Sequence, residues 1–244
     1  SEPQAGSDAA NMQLKAVQVD GGWKLNGQKI WTTSAHFADW YWVGARTDPD
    51  KSLHDGISLF LIPMNQPGLE VQSMPTIGKD TTNQVFFEDV FVPDDYLVGQ
   101  RGKGFQYISE ALDLERFTMF TLSPTLERTK LLISYVKAAT RDDVPLREDP
   151  QIRRLIARIT TDTAVAHALS TRFVCAAKTV GGKPPTVQSS QYKLFTTELS
   201  QRVCREALDV MGAAGQIREG QDDAPLRGRF EGAYRATVVE TIGG

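Results

Sequence analysis

Hydrophobic positions along this chain change their period near residue 100. Before it they come in short runs broken by turn residues, at 16–20, 23–25, 40–46, 57–64 and 84–87. Runs of that length bounded by Gly, Pro, Asn and Asp have the texture of strands. Gly21-Gly22, Asn26-Gly27, Asp48-Pro49-Asp50 and Pro67-Gly68 read as hairpin or loop signals, and no long stripe of helical period interrupts them. An antiparallel sheet is the expectation. From Gly104 onward long stretches are free of glycine, and Ile152, Ile156, Ile159 and Thr163 share one face at helical spacing. Three long helices are expected, over 105–139, 149–180 and 187–211. Pro124 predicts a kink in the first, and Pro145, Pro150, Pro184 and Pro185 fall in connections. Strands followed by helices indicate an α+β chain: an antiparallel β-barrel or sandwich over 1–101, then an antiparallel helical bundle over 102–244. No internal repeat is visible.

Composition narrows the function classes. A chain of 244 residues with 41% hydrophobic positions can bury a core. No stretch approaches the roughly 18 apolar residues of a membrane span, and Ser1 opens no secretory leader, so a cytoplasmic protein is expected. A net charge of −3 gives no broad attraction for nucleic acid. Cys175 and Cys204 lack CxxC spacing and read as buried apolar filler. His36, His54 and His167 have no partners at metal-ligand spacing, so no metal is expected, and Lys79-Asp80 and Arg141-Asp142-Asp143 read as solvated loop charges.

Two segments carry candidate chemistry. The opening Ser1-Glu2-Pro3-Gln4-Ala5-Gly6-Ser7-Asp8 is a loop of small and hydroxyl residues ahead of a strand, able to bring backbone N–H groups and hydroxyls close to an anion. Any surface loop has a similar composition. Further on, Leu25-Asn26-Gly27-Gln28-Lys29-Ile30-Trp31-Thr32-Thr33-Ser34 feeds a strand end that carries an aromatic and adjacent hydroxyls. Alone, Trp31 would read as a packing residue.

Together these segments resemble the middle domain of the acyl-CoA dehydrogenase family, with its T/S-E-P-x-A-G-S-D and N-G-x-K-x-W-x-T-N/S patterns. The resemblance continues through Phe86-Phe87-Glu88-Asp89-Val90-Phe91-Val92-Pro93, Gly102-Lys103-Gly104-Phe105 and Asp113-Leu114-Glu115-Arg116, the last similar to the L-x-x-E-R of some members. Residues 234–244 resemble the approach to the family's terminal G-T-S-x-I-Q-R, which lies beyond this chain, as does the family's N-terminal helical domain. The sequence therefore reads as a piece of a longer bacterial protein.

The resemblance implies an FAD enzyme that removes hydrogens from the α and β carbons of an acyl-CoA, in fatty acid or steroid side-chain oxidation, and passes electrons to an electron-transfer flavoprotein. It matches Ser1 and Ser7 to hydroxyls on the cofactor, Trp31 to the aromatic beside the isoalloxazine, Thr33 to the hydroxyl near flavin N5 and Arg116 to an arginine near the CoA moiety. A structural salt bridge is the alternative for Arg116. Aligning Arg235 and Ile242 without gaps puts Gly244 where many members carry the catalytic glutamate, and glycine cannot take a proton. The L-x-x-E-R glutamate, Glu115, is then the expected base, set against the ordinary solvated helix carboxylate it would otherwise be.

Two departures concern the half-site that members lend to a neighbouring subunit's flavin. Arg141-Asp142-Asp143-Val144-Pro145 lacks the Phe-Gly of R-x-x-F-G, and Asp209 stands where Q-x-x-G-G begins with Gln. This pattern resembles one chain of the two-gene enzymes of bacterial steroid catabolism and implies an α2β2 partner subunit. A flavin acyl-CoA oxidase or monooxygenase of the same fold, and a silent partner subunit, are the competing readings.

Overall fold

The computed structural model describes residues 1–78, 80–119, 121–179 and 185–243. Its strand texture becomes a seven-stranded sheet made of β1 (Lys15–Val19), β2 (Gly22–Lys29), β3 (Trp40–Arg46), β4 (Ile57–Pro63), β5 (Leu69–Pro75), β6 (Thr81–Pro93) and β7 (Leu97–Val98), in the order β5-β6-β2-β1-β3-β4-β7. The sheet is mixed, which corrects the purely antiparallel expectation. After β2 the chain crosses to the far side of β1 before running back, so β3 meets β1 in parallel at Lys15↔Arg46, while every other pairing is antiparallel. Residues of both edge strands, Leu69 and Val71 of β5 and Leu97 of β7, pack against one core of Leu14, Trp23, Leu25, Val43, Phe60, Ile62, Val85 and Val90. The sheet is thus coiled enough to bring its edges to a common interior.

Asn26-Gly27 makes no hairpin. It is a bulge inside β2, where the register against β6 shifts between Leu25 and Gly27. Gly27 sits at φ +141°, and the Asn26 side chain accepts the Asp89 N–H at 2.9 Å in place of a ladder bond. Edge strand β5 was not foreseen, because its apolar residues are few and its partner covers only one side.

The helical part holds five helices among the described residues: α1 (Gly104–Thr118), α2 (Ser123–Ala138), α3 (Pro150–Thr179), α4 (Thr186–Met211) and α5 (Arg229–Glu240). The expected first helix is therefore two, and Pro124 opens α2 in its first turn instead of kinking a continuous helix; there its missing N–H costs nothing. Helix α5 went unseen because Gly232 interrupts a short, weakly apolar pattern. A two-residue hairpin, β8 (Thr140–Arg141) with β9 (Val144–Pro145), links α2 to α3. Helix α1 begins at Gly104, a position that admits no side chain because a Cβ there would lie 2.6 Å from the Ser58 carbonyl carbon.

Ile152, Ile159 and Thr163 are buried, as their spacing predicts, in a core with Leu132, Leu199, Val203 and Phe230. Cys204 is buried too, but Cys175 is exposed on the outer face of α3, against the expectation for it. Compact units comprise Ser1–Ala111 and Leu112–Gly244. Gly244, Lys79 and Pro184 lie outside the described residues. Among the described residues no helix is long and apolar enough to cross a membrane, and no group of His, Cys, Asp and Glu could hold a metal ion.

Candidate functional site

The opening loop is held by a carboxylate that the sequence reading left without a role. Glu2 is 4% exposed, and its two oxygens accept from Lys29 Nζ at 2.7 Å, Leu14 N–H at 3.0 Å, Gln13 N–H at 2.6 Å and Gln4 Nε2 at 2.7 Å. Burial works to raise its pKa, but the Lys29 ammonium and these hydrogen bonds hold the carboxyl below its ordinary value. Lys29 itself, 3% exposed, is pushed below the usual lysine range by burial, with Glu2 pulling the other way. This ion pair ties the loop to the end of β2, and Ile30 N–H adds a bond to the Ser1 carbonyl at 3.0 Å. Glu2 and Ala5 exchange both backbone bonds, which closes the loop into a tight turn. Ser1 and Ser7 remain exposed on it.

Beyond β2 the backbone turns sharply. Trp31 has φ +59° and Ser34 φ +68°, left-handed conformations that cost non-glycine residues energy. Trp31 is 63% exposed and Thr33 is exposed beside it, its hydroxyl making no hydrogen bond among the described residues. Thr32, between them, faces inward: its hydroxyl pairs with Tyr41 OH at 2.9 Å, and burial pushes Tyr41 up to about 12. The opening loop and the turn after β2, tied together through Glu2–Lys29 and Ile30–Ser1, present a planar aromatic and three hydroxyls, Ser1, Ser7 and Thr33, that make no hydrogen bond among the described residues. Such a set suits a flat heteroaromatic ligand with hydrogen-bonding edges, which is the character of a flavin. The Lys29 cation beside this set is spent on Glu2. An open depression of about 480 Å³ adjoins this stretch, lined by Ala35, His36, Asp39, Trp40 and residues of the β4 end, but none of the four residues expected to touch cofactor lines it. The candidate surface is a shelf, not that cavity.

On α1, Glu115 is half-buried, and its carboxylate makes no hydrogen bond or ion pair among the described residues. Its neighbours are fixed. Asp113 accepts from Arg116 at 2.8 Å and from the Thr186 hydroxyl at 2.6 Å, and its carbonyl accepts from the Ser189 hydroxyl at 2.8 Å. Phe117 stacks on Phe173 at 3.9 Å and lies 5.0 Å from the Tyr192 ring. One turn of helix thus carries an anchored aspartate and a packed aromatic on either side of a free carboxylate. Arg116 is engaged in the ion pair with Asp113. Arg141 is not simply solvated: it donates to the Val210 carbonyl at 2.5 Å.

The sequence matches the family model for the middle domain of acyl-CoA dehydrogenases over residues 1–90 and that for the C-terminal domain over 102–244. It is 37% identical over 218 residues to the acyl-CoA dehydrogenase FadE34 of Mycobacterium tuberculosis, covering 89% of this chain and 29% of that protein. The fold superposes on a chain of the ChsE4-ChsE5 complex from Mycobacterium tuberculosis with a TM-score of 0.90 and 28% identity, covering 100% of this chain and 63% of that one. A chain of the Tcur3481-Tcur3483 steroid ACAD gives a TM-score of 0.91 at 28% identity, with 100% and 62% covered. The chain thus spans less than two thirds of the length of these proteins. It belongs to the acyl-CoA dehydrogenase family.

Proposed function

We propose that this chain is the flavin-binding and catalytic part of an FAD-dependent acyl-CoA dehydrogenase that converts an acyl-CoA to its trans-2-enoyl-CoA in the cytoplasm of a bacterium. The observation that carries the reading is the half-buried Glu115 carboxylate, without a partner among the described residues, on a helix turn where Asp113 and Arg116 are already committed. A carboxylate with no competing partner can take the weakly acidic α proton of a thioester. Ser1 and Ser7 would hold the cofactor from the loop, Trp31 would cover its ring, and Thr33 would meet the N5 edge. Bound FAD would supply the acceptor for the β hydride. Arg116, kept in place by Asp113, would lie toward the CoA, and electrons would leave through an electron-transfer flavoprotein. Anaerobic bleaching of flavin absorbance by acyl-CoA tests the reading, and a full-length protein that binds FAD but is not reduced by any acyl-CoA would defeat it.

The same reading extends to a partner. Arg141 is turned onto its own α4 end, and Asp142 and Asp143, at φ +51° and +63°, close a tight hairpin that continues into Val144-Pro145, where the family has an aromatic-glycine pair. Asp209, exposed beside that helix end, would repel a pyrophosphate. Both features support a chain that uses a flavin half-site without lending one, as does its likeness to a complex of two named chains and to a steroid ACAD with two. Co-expression with an acyl-CoA dehydrogenase-like neighbour should give an α2β2 assembly holding two FAD, with steroid side-chain thioesters as the substrate class. A homotetramer with four tightly bound FAD would refute it.

A further inference from the structure

Between β2 and β3 the chain keeps two left-handed non-glycine residues, Trp31 and Ser34, within four positions. Such a turn persists only where its surroundings over-determine it. Thr33 N–H donates to the Trp31 carbonyl at 3.1 Å, which tightens the turn without anchoring it to anything. The anchor comes from β6. Asn83 is fully buried, and it grips Thr32 by both backbone groups: its carbonyl accepts the Thr32 N–H at 3.0 Å, and its Nδ2 donates to the Thr32 carbonyl at 2.7 Å.

The amide is itself oriented. Ser73 Oγ on β5 donates to Asn83 Oδ1 at 3.0 Å, so the oxygen faces the edge strand and the nitrogen faces the turn. The second Nδ2 hydrogen then points to His36 Nδ1 at 3.2 Å. Every donor and acceptor of the side chain is used, the condition under which a buried polar group rigidifies its surroundings. With Thr32 held inward, the residues on either side of it are turned out, and these are Trp31 and Thr33.

We propose that Asn83 is a positioning residue: it presets the turn that presents Trp31 and Thr33 to the flavin. This rests on the flavin reading above, and the test separates the two. Aspartate at this position would set an oxygen against the Thr32 carbonyl, and alanine would leave that carbonyl unpaired. In the full-length protein, Asn83→Ala and Asn83→Asp should each weaken FAD binding to apoprotein by about tenfold or more, as stranded buried partners do. In apoprotein labelled with 15N at the indole, both should also shift the Trp31 resonance, assigned with Trp31→Phe. Asn26→Ala, which breaks an exposed side-chain bond to Asp89 in the same domain, should do neither even if it lowers the melting temperature. If Asn83→Ala fails to fold, Ser73→Ala frees the amide to rotate and is read in the same two ways. Should the wild type bind no FAD, the flavin reading fails and the indole resonance alone decides the role of Asn83. A folded variant whose Trp31 resonance matches the wild type overturns the proposal.

Discussion

Two carboxylates in this chain have opposite circumstances. Glu2 is buried in the β domain with four donors on its two oxygens and a lysine beside it. Glu115, on the first helix of the bundle domain, is half-buried with none among the described residues. A saturated carboxylate has no lone pair left for substrate, so its ionisation serves the fold. An unsaturated one keeps lone pairs open to whatever enters. The difference separates a structural acid from a candidate catalytic one more sharply than burial does, since the more buried of the two is the less available.

The largest effect is expected where the comparison is broken at Glu115. Glu115→Gln keeps shape and removes the base, so reduction of bound FAD by acyl-CoA should slow by about a thousandfold, toward the upper range of general-base effects. Flavin content and melting temperature should hardly change. Glu2→Gln should do the reverse, lowering the melting temperature while leaving the reductive rate of correctly folded protein within a few-fold. Stopped-flow reduction beside thermal melts of both variants reads the crossing; unimpaired bleaching in Glu115→Gln ends the assignment.

Next comes Lys29. Lys29→Met fits the same space but strands an ionised carboxylate in the interior, a change that costs about 3–5 kcal/mol for a buried pair broken on one side. The double variant Glu2→Gln with Lys29→Met should recover part of that, because no isolated charge remains. Equal denaturant midpoints for the single and double variants would mean that water reaches Glu2 and relieves it.

The pair also sets a pH dependence. The folded Glu2 carboxyl lies below its ordinary value near 4.5, so unfolding takes up protons. Its stabilisation is present in full above that value and is lost as pH falls through the folded pKa. For Lys29 the lowered pKa means that the charged form is less favourable in the fold than in the open chain, and that penalty fades only as pH rises toward 10.5. Acid unfolding monitored by circular dichroism should therefore be steeper for the wild type than for Glu2→Gln below about pH 4.5. Coincident acid limbs would remove Glu2 from the account.

Much of this was legible in the sequence, and the misses have physical causes. The change from strand to helix texture near residue 100 located both architectures, and Ile152, Ile159 and Thr163 named a helix face that is buried. Trp31, Thr33 and Glu115 could be singled out because they stand in motifs. Glu2 and Lys29 stand in the same motifs and were passed over: a loop glutamate reads as solvated, and its partner lies 27 positions away, a proximity only the fold creates. Asn83 carried no signal at all, since its role depends on the strand opposite. Asn26-Gly27 misled because a left-handed glycine serves a bulge as readily as a hairpin. Pro124 was ambiguous between a kink and a helix start, and only the break after Thr118 decides it.

The smallest expected effect sharpens the comparison to neighbouring residues. Thr32 and Thr33 differ by one position, but the first commits its hydroxyl to Tyr41 at 2.9 Å and the second leaves its hydroxyl exposed. Valine replaces threonine with nearly the same volume, so each substitution tests the hydroxyl alone. Thr32→Val strands the Tyr41 hydroxyl in a buried place and should lower stability by about 1–2 kcal/mol in the apoprotein. Thr33→Val loses nothing in the apoprotein and should melt like the wild type. With FAD present the order reverses: Thr33→Val leaves a flavin edge without its partner and should weaken binding or slow reduction by about 1–3 kcal/mol. Melting curves of apoprotein with FAD titrations of both variants separate the two roles. A Thr33→Val protein with unchanged affinity, absorption spectrum and reductive rate would move the N5 edge away from this turn, and leave the strained backbone at Trp31 without the purpose assigned to it.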